Sequence, residues 1–317
     1  MTFTMSLRKQ RERGKEKRVS DSLTMCPTLT LCDTFLFILL LYCIPLALAS
    51  VDASFRDCNH FLYKKIPPMG IPSGALKKIC QRYEDTPRYI TLYDPTKRIP
   101  FYSAYTFKKS SGEKSVGSPW MYEPQLSIIS STGNMVPFPQ EKNDLQLEEN
   151  QAVLSDYSDS VFYERGQMNP DEHQADPSDK AATYTLTNIV PQSKDFYRKQ
   201  WAPYLNKIRQ RLNSYCHGTA FVIAGVTTTG NTIRRDNTNR VAIPKHIWLA
   251  YCCPDFDSNA PYDVRYMFPS FAAYGLNDFV GSFVMEVSSK RLEALIKREM
   301  PVDHNFQLFQ DNCIPEV

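Results

Sequence analysis

The chain reads as an α+β protein with a mixed or antiparallel central sheet and flanking helices, and three observations predict this. Aromatic and β-branched runs at 89–94 and 100–107 are separated by an Asp94-Pro95 break, which is the pattern of a hairpin. Apolar runs at 219–226 and 241–251 have the length and composition of buried strands. Helical patterns fall at 194–215 and 288–300, so strands and helices do not alternate, and a parallel βαβ sheet is not expected.

Taken in order, the elements begin after a segment that resembles targeting material. Arg8, Lys9, Arg11, Arg13, Lys15, Lys17 and Arg18 precede an uncharged run between Asp33 and Asp52, which ends in Pro45 and Ala47-Leu48-Ala49. A basic region, an apolar region and a small-x-small site form the pattern of a secretory signal peptide. The same run is just long enough to serve as an uncleaved signal anchor, and Met25 is an alternative start. The expected division is therefore residues 1–49 as signal peptide or anchor and residues 50–317 as a single domain, secreted or anchored by that signal.

Residues 51–85 form an opening bracketed by Cys58 and Cys80, with a short helix expected at 75–80. The hairpin follows, and then 108–160 turns polar, which predicts a long surface excursion. Asp176-Pro177 marks a turn, a strand is expected at 181–188, and Pro191 is expected in a turn. Apolar residues at Phe196, Trp201, Tyr204, Leu205, Ile208 and Leu212 form a helical stripe that Pro203 kinks or divides. Residues 283–287 complete the strands before the last helix.

Charge limits the function. The whole chain holds 37 Lys/Arg and 34 Asp/Glu, but the first fifty residues hold seven and four of these, leaving 30 of each. Generic phosphate gripping needs a basic surface, so strong nonspecific nucleic-acid binding is not expected. The one concentrated basic stretch is Lys194, Arg198, Lys199, Lys207, Arg209 and Arg211, on the polar face of the 194–215 helix.

Beyond the leader, six cysteines remain: Cys58, Cys80, Cys216, Cys252, Cys253 and Cys313. An even number in an oxidising compartment suits three disulfides, and no C-x-x-C pair suggests a metal. Cys58 and Cys80 are near in sequence and are expected to pair. Cys252 and Cys253 are adjacent and should take different partners among Cys216 and Cys313.

The chemistry lies in Tyr163-Glu164-Arg165-Gly166-Gln167-Met168-Asn169-Pro170, followed by Thr187-Asn188-Ile189-Val190-Pro191-Gln192 and Trp201. This spacing resembles the DNA/RNA non-specific endonucleases, the ββα-metal nucleases, in which Asp-Arg-Gly-His supplies the base and an Asn-x-x-Pro-Gln stretch leads to the metal ligand. Val241-Ala242-Ile243-Pro244 with Trp248 is similar to the family's core strand. The resemblance implies a ββα-metal endonuclease-like fold, a nucleic-acid substrate and Mg2+. It places Glu164 at the Asp position, Arg165 and Asn188 near phosphate, Gln167 at the base, Tyr197 at the metal ligand with Asn188 beside it, Gln192 behind them and Leu205 at the acidic position.

Three of these positions have lost the required chemistry. Gln167 has no usable pKa, a neutral phenol such as Tyr197 is a poor ligand for a hard cation, and Leu205 offers no oxygen. The resulting expectation is a nuclease fold without its reaction, acting as a weak nucleic-acid-binding or protein-interaction module. The alternatives are an active Mg2+ endonuclease with His173 as a substitute base or Asp195 or Asn206 as displaced metal ligands, and an extracellular structural protein. His173, in Asp171-Glu172-His173-Gln174, reads as solvated.

Overall fold

A computed structural model describes residues 50–52, 54–72, 74–114, 117–139 and 145–314. The leader therefore lies outside the described residues, and no helix among those described is long and apolar enough to cross a membrane.

The core is an eight-stranded sheet. In chain order its strands are β1 (Val51–Asp52), β2 (Lys77–Tyr83), β3 (Thr86–Asp94), β4 (Ile99–Thr106), β9 (Phe221–Arg235), β10 (Thr238–Cys252), β11 (Ser270–Leu276) and β12 (Val284–Val287), and they lie side by side in that order. Every pairing between them is antiparallel. Two small ribbons accompany the sheet: β5 (Met121–Tyr122) with β6 (Val136–Pro137), and β7 (Tyr163–Gln167) with β8 (Ile189–Ser193).

Both faces of the sheet are covered, which explains why its central strands are continuous apolar runs. Side chains alternate between faces along a strand. In β10, Ile247, Leu249 and Tyr251 join one buried cluster with Trp201, Leu205 and Ile208, whereas Trp248, Ala250 and Cys252 join the other with Leu292 and Ile296. The first cluster packs the ribbon β7–β8 and the Ala202–Tyr215 helix against the sheet; the second packs the Ser289–Glu299 helix and the C-terminal segment.

The same alternation sorts the cysteines. Cys252 and Cys253 point to opposite faces, so Cys252 bonds Cys313 on one and Cys253 bonds Cys216 on the other. Cys58 bonds Cys80.

Four expectations are corrected. Residues 75–80 carry helical spacing, but Lys77 to Cys80 pair with Tyr93 to Ile90, and the sheet outweighs that local pattern. Residues 181–188 are not a strand. The Asp176 carboxylate accepts from the Ser178 and Asp179 amides and Pro177 occupies the first turn, so a helix starts there, spans Pro177–Ala182 and is followed by a 3-10 turn, Leu186–Asn188. Pro191 lies inside β8, opposite Arg165; a two-stranded ribbon leaves outward amides unpaired, so a missing N–H costs little. Finally, 108–160 is no mere surface excursion. It contributes β5 and β6 and buries Met121, Glu123, Gln125, Met135, Gln151, Asp156 and Tyr157.

Pro203 does divide its helix. A π-helical turn, Tyr197–Trp201, precedes the Ala202–Tyr215 helix, which takes Pro203 in its first turn, where the missing N–H is harmless.

Candidate functional site

The ribbon β7–β8 brings the motif together. Its register sets Glu164 opposite Gln192, Arg165 opposite Pro191 and Gln167 opposite Ile189. Gly166 is required by this packing: a Cβ there would lie 2.4 Å from Gln192 Oε1 and 2.7 Å from Gln192 Cβ. The ribbon forms one wall of a cavity of about 290 Å³, whose lining also includes Lys114, Trp120, Glu172, Tyr184, Tyr197 and Leu205.

Gln167, at the position that the resemblance assigns to the base, is held by hydrogen bonds to Thr183. Its Nε2 donates to the Thr183 hydroxyl at 2.9 Å and to the Thr183 carbonyl at 3.3 Å. An amide held in this way has no proton to take or give at neutral pH.

Tyr197 enters the cavity from the π-helical turn, the bulge that aims its ring inward. Burial raises its phenol pKa, a shift opposed by the ammonium of Lys114, which donates to Tyr197 Oη. Lys114 Nζ lies 5.1 Å from the centre of that ring and 3.8 Å from Glu172 Oε2. Burial also works against the charge of Lys114, but the bond to Tyr197 and the neighbouring carboxylates outweigh it and hold its pKa above the usual lysine value.

Arg165 lies with its guanidinium 4.3 Å from the centre of the Trp120 ring, and Trp120 in turn meets Tyr184 at 5.2 Å. Among the described residues it makes no ion pair with Glu164 or any other carboxylate. Glu164 is half-buried; burial raises its pKa despite Arg198, Lys194 and Lys114 nearby, and its Oε1 is enclosed without a hydrogen-bond partner among the described residues. Gln192 is buried, and its Nε2 likewise donates to no group among the described residues.

Asn188 is not a cavity residue. It is fully buried; its Oδ1 accepts from the Asn169 amide and the Ser103 hydroxyl, and its Nδ2 donates to the carbonyls of Asn169 and Thr183. All four bonds are satisfied within the protein, so Asn188 is a clasp between the sheet and the ribbon, and the expectation of a phosphate or metal contact there is corrected.

The displaced candidates fail as well. His173 is buried, not solvated: it accepts from Tyr105 Oη at Nδ1 and donates to the Leu205 carbonyl from Nε2, and burial lowers its pKa to about 4. Asp195 pairs with Lys199, and Asn206 Oδ1 accepts from Arg209; neither lines the cavity.

The donor set does not fit a hard divalent ion. Magnesium takes six oxygens from carboxylates, carbonyls and water. Here the position that the resemblance assigns to the ligand is a phenol bound to an ammonium, the assigned acidic position is the apolar, buried Leu205, and of the two carboxylates lining the cavity, Glu164 and Glu172, the second has Lys114 beside it. No group of three or more His, Cys, Asp or Glu side chains suited to a metal occurs among the described residues.

Lys114, Trp120, Glu172 and Tyr184 were not singled out by the sequence. Lys114 and Trp120 lie in the polar stretch without periodicity, so only the tertiary fold reveals them.

A sequence profile of the DNA/RNA non-specific endonuclease family matches residues 71–295. Endonuclease domain-containing 1 protein of Mus musculus is 31% identical over 271 residues, which cover 83% of this chain and 48% of the relative. The protein of that name from Homo sapiens is 32% identical over 209 residues, covering 64% and 40%. The chain thus spans about half the length or less of these relatives. A solved structure of the EndoG/EndoGI complex aligns over 68% of this chain and 82% of that one, at 16% identity and a TM-score of 0.44.

Proposed function

The chain belongs to the DNA/RNA non-specific endonuclease family, and we propose that it binds nucleic acid weakly in the cavity beneath Trp120 without hydrolysing it. Its fold class is the α+β class of that family. The observation that carries the reading is the fate of the catalytic positions: the Gln167 amide is tied to Thr183, and Tyr197 is tied to Lys114.

Hydrolysis of a phosphodiester needs a base for water and a cation fixed against the phosphorus and the leaving oxygen. Neither Gln167 nor Leu205 supplies proton transfer or a charged oxygen. What remains suits binding. Trp120 and Tyr184 offer faces on which a base stacks, and Arg165 and Lys114 offer positive charge to a phosphate. The balance of 30 basic and 30 acidic residues outside the first fifty keeps this contact local and salt-sensitive.

Secretion belongs to the same proposal. Three disulfides suit an oxidising compartment, and the Ala47-Leu48-Ala49 site suits signal cleavage.

The test is incubation of plasmid DNA and of RNA with the full chain in Mg2+ or EDTA, beside Gln167→Ala. Intact substrate in every arm, together with salt-sensitive binding, is the expected outcome. Metal-dependent cleavage lost in Gln167→Ala would show a working nuclease, and neither cleavage nor binding would show an extracellular structural protein.

A further inference from the structure

Lys114 reaches the cavity from a segment tied down at several points. Arg209 Nη1 and Asn213 Nδ2 donate to the Ser110 carbonyl at 2.7 and 2.9 Å, Ser110 Oγ donates to the Glu172 carbonyl at 2.6 Å, and Lys180 donates to the Glu113 carbonyl. Between these anchors Gly112 adopts φ +84°, and a Cβ there would meet the Arg209 guanidinium at 2.4 Å. The positive φ favours glycine at this turn, and the Arg209 side chain lies against it. The end of the segment is therefore held, and the ammonium of Lys114 is delivered to Tyr197 at the position that the family resemblance assigns to a metal ligand.

We propose that Lys114 is a resident cation in place of a divalent metal, and that with Arg165 and the Gln192 amide it forms a metal-independent site for a phosphate-type oxyanion. This rests on the proposed binding role of the same cavity. Three donors of different origin face the one space. An ammonium carries three N–H groups, of which Tyr197 takes one at hydrogen-bond distance, while Glu172 stands further off at 3.8 Å. The Arg165 guanidinium is stacked on Trp120 and makes no hydrogen bond or ion pair among the described residues. Gln192 is 1% exposed, lines the cavity and keeps an enclosed Nε2 without an acceptor among the described residues. A buried donor left unpaired is costly, and an anion oxygen is the acceptor that would satisfy it.

Glu164 and Glu172 also line the cavity and oppose an anion. They favour a ligand that presents a hydroxyl beside its phosphate, as a nucleotide does, since the enclosed Glu164 Oε1 has no donor. A cation that belongs to the protein does not exchange with solvent, so chelators leave the site intact.

The experiment uses the full chain, wild type beside Lys114→Met and Arg165→Met, with two probes. A short fluorescein-labelled single-stranded DNA reports binding by anisotropy in Mg2+ and in EDTA, and inorganic pyrophosphate reports anion binding by its shift of the melting temperature. Circular dichroism confirms that each variant is folded; the Lys114 side chain is 52% exposed, so its loss leaves the core unchanged. The expected result is equal affinity in Mg2+ and EDTA, weakened about tenfold in either variant, with the pyrophosphate shift lost in both.

Binding that requires Mg2+, or that Lys114→Met leaves unchanged, overturns the inference while the nucleic-acid reading stands. A Lys114-dependent pyrophosphate shift without DNA binding overturns the nucleic-acid reading and leaves the anion site. If neither probe binds, both are overturned.

Discussion

Single side chains decide the chemistry of the cavity, and the sequence announced some of them. Gln167 and Leu205 carry the proposed absence of hydrolysis by residue type alone, because no fold turns an amide into a base or a methyl into a carboxylate. Asn188, expected beside phosphate or metal, and His173, which reads as solvated, did not declare their burial, since residue type alone does not give it. Asn188 makes four internal bonds and His173 makes two. Lys114 was invisible, because nothing in a nonperiodic polar stretch says which lysine turns inward.

Gly166 and Glu123 give tests at this scale. Gly166→Ala sets a Cβ against the Gln192 side chain and should destabilise the chain by about 1–3 kcal/mol in urea melts. A change near zero would mean that Gln192 moves aside freely. Glu123 is fully buried, and burial pushes its carboxyl up to about 8, with Thr185 and Thr187 hydroxyls offsetting part of the shift. Unfolded, it ionises near 4.5. Between those values unfolding releases a proton, so this group makes stability fall as pH rises through that window. Glu123→Gln should gain stability over wild type as pH rises from 5 to 8, by up to about 1.4 kcal/mol per pH unit. Denaturation at several pH values reads it, the His173 contribution cancelling in the comparison; a constant difference would place the proton elsewhere.

Among the elements, strands with long apolar runs were legible, and of the short ones only β12, expected at 283–287, was. β3, β4, β9 and β10 carry enough buried residues to identify themselves, whereas β11 went without a strand expectation. At β2 a six-residue helical spacing misled, because pairing with β3 is a contact that local periodicity does not contain. The Pro177–Ala182 helix was missed for the opposite reason: its start signal, Asp176-Pro177, was read as a turn and outweighed by the β-branched residues that follow. The disulfides were better specified, since adjacent cysteines in a strand must face apart. Cys252–Cys313 closes a separation of 61 residues and ties the C-terminal segment to the sheet. Replacing both cysteines with alanine should cost about 2–4 kcal/mol, read by urea denaturation. No loss would mean that packing of Leu308 and Phe309 alone secures that segment.

For the molecule as a whole, a sheet covered on both faces provides the base, and the ribbon β7–β8, which carries the motif resembling the family's signature, packs on one of those faces. In the proposed reading the scaffold is retained, from Gly166 through Pro191 to Trp201, while the positions that the resemblance assigns to proton transfer and metal hold Gln167, Tyr197 and Leu205. The central claim is that this site holds no divalent ion because Lys114 and Tyr197 stand where one would bind. A Mn2+ titration of the full chain, followed by the electron paramagnetic resonance of the free aquo ion, tests this most directly. The account predicts a free-ion signal equal to that of buffer alone at every ratio. Loss of one equivalent of free Mn2+ per chain, restored by Tyr197→Phe, would contradict it.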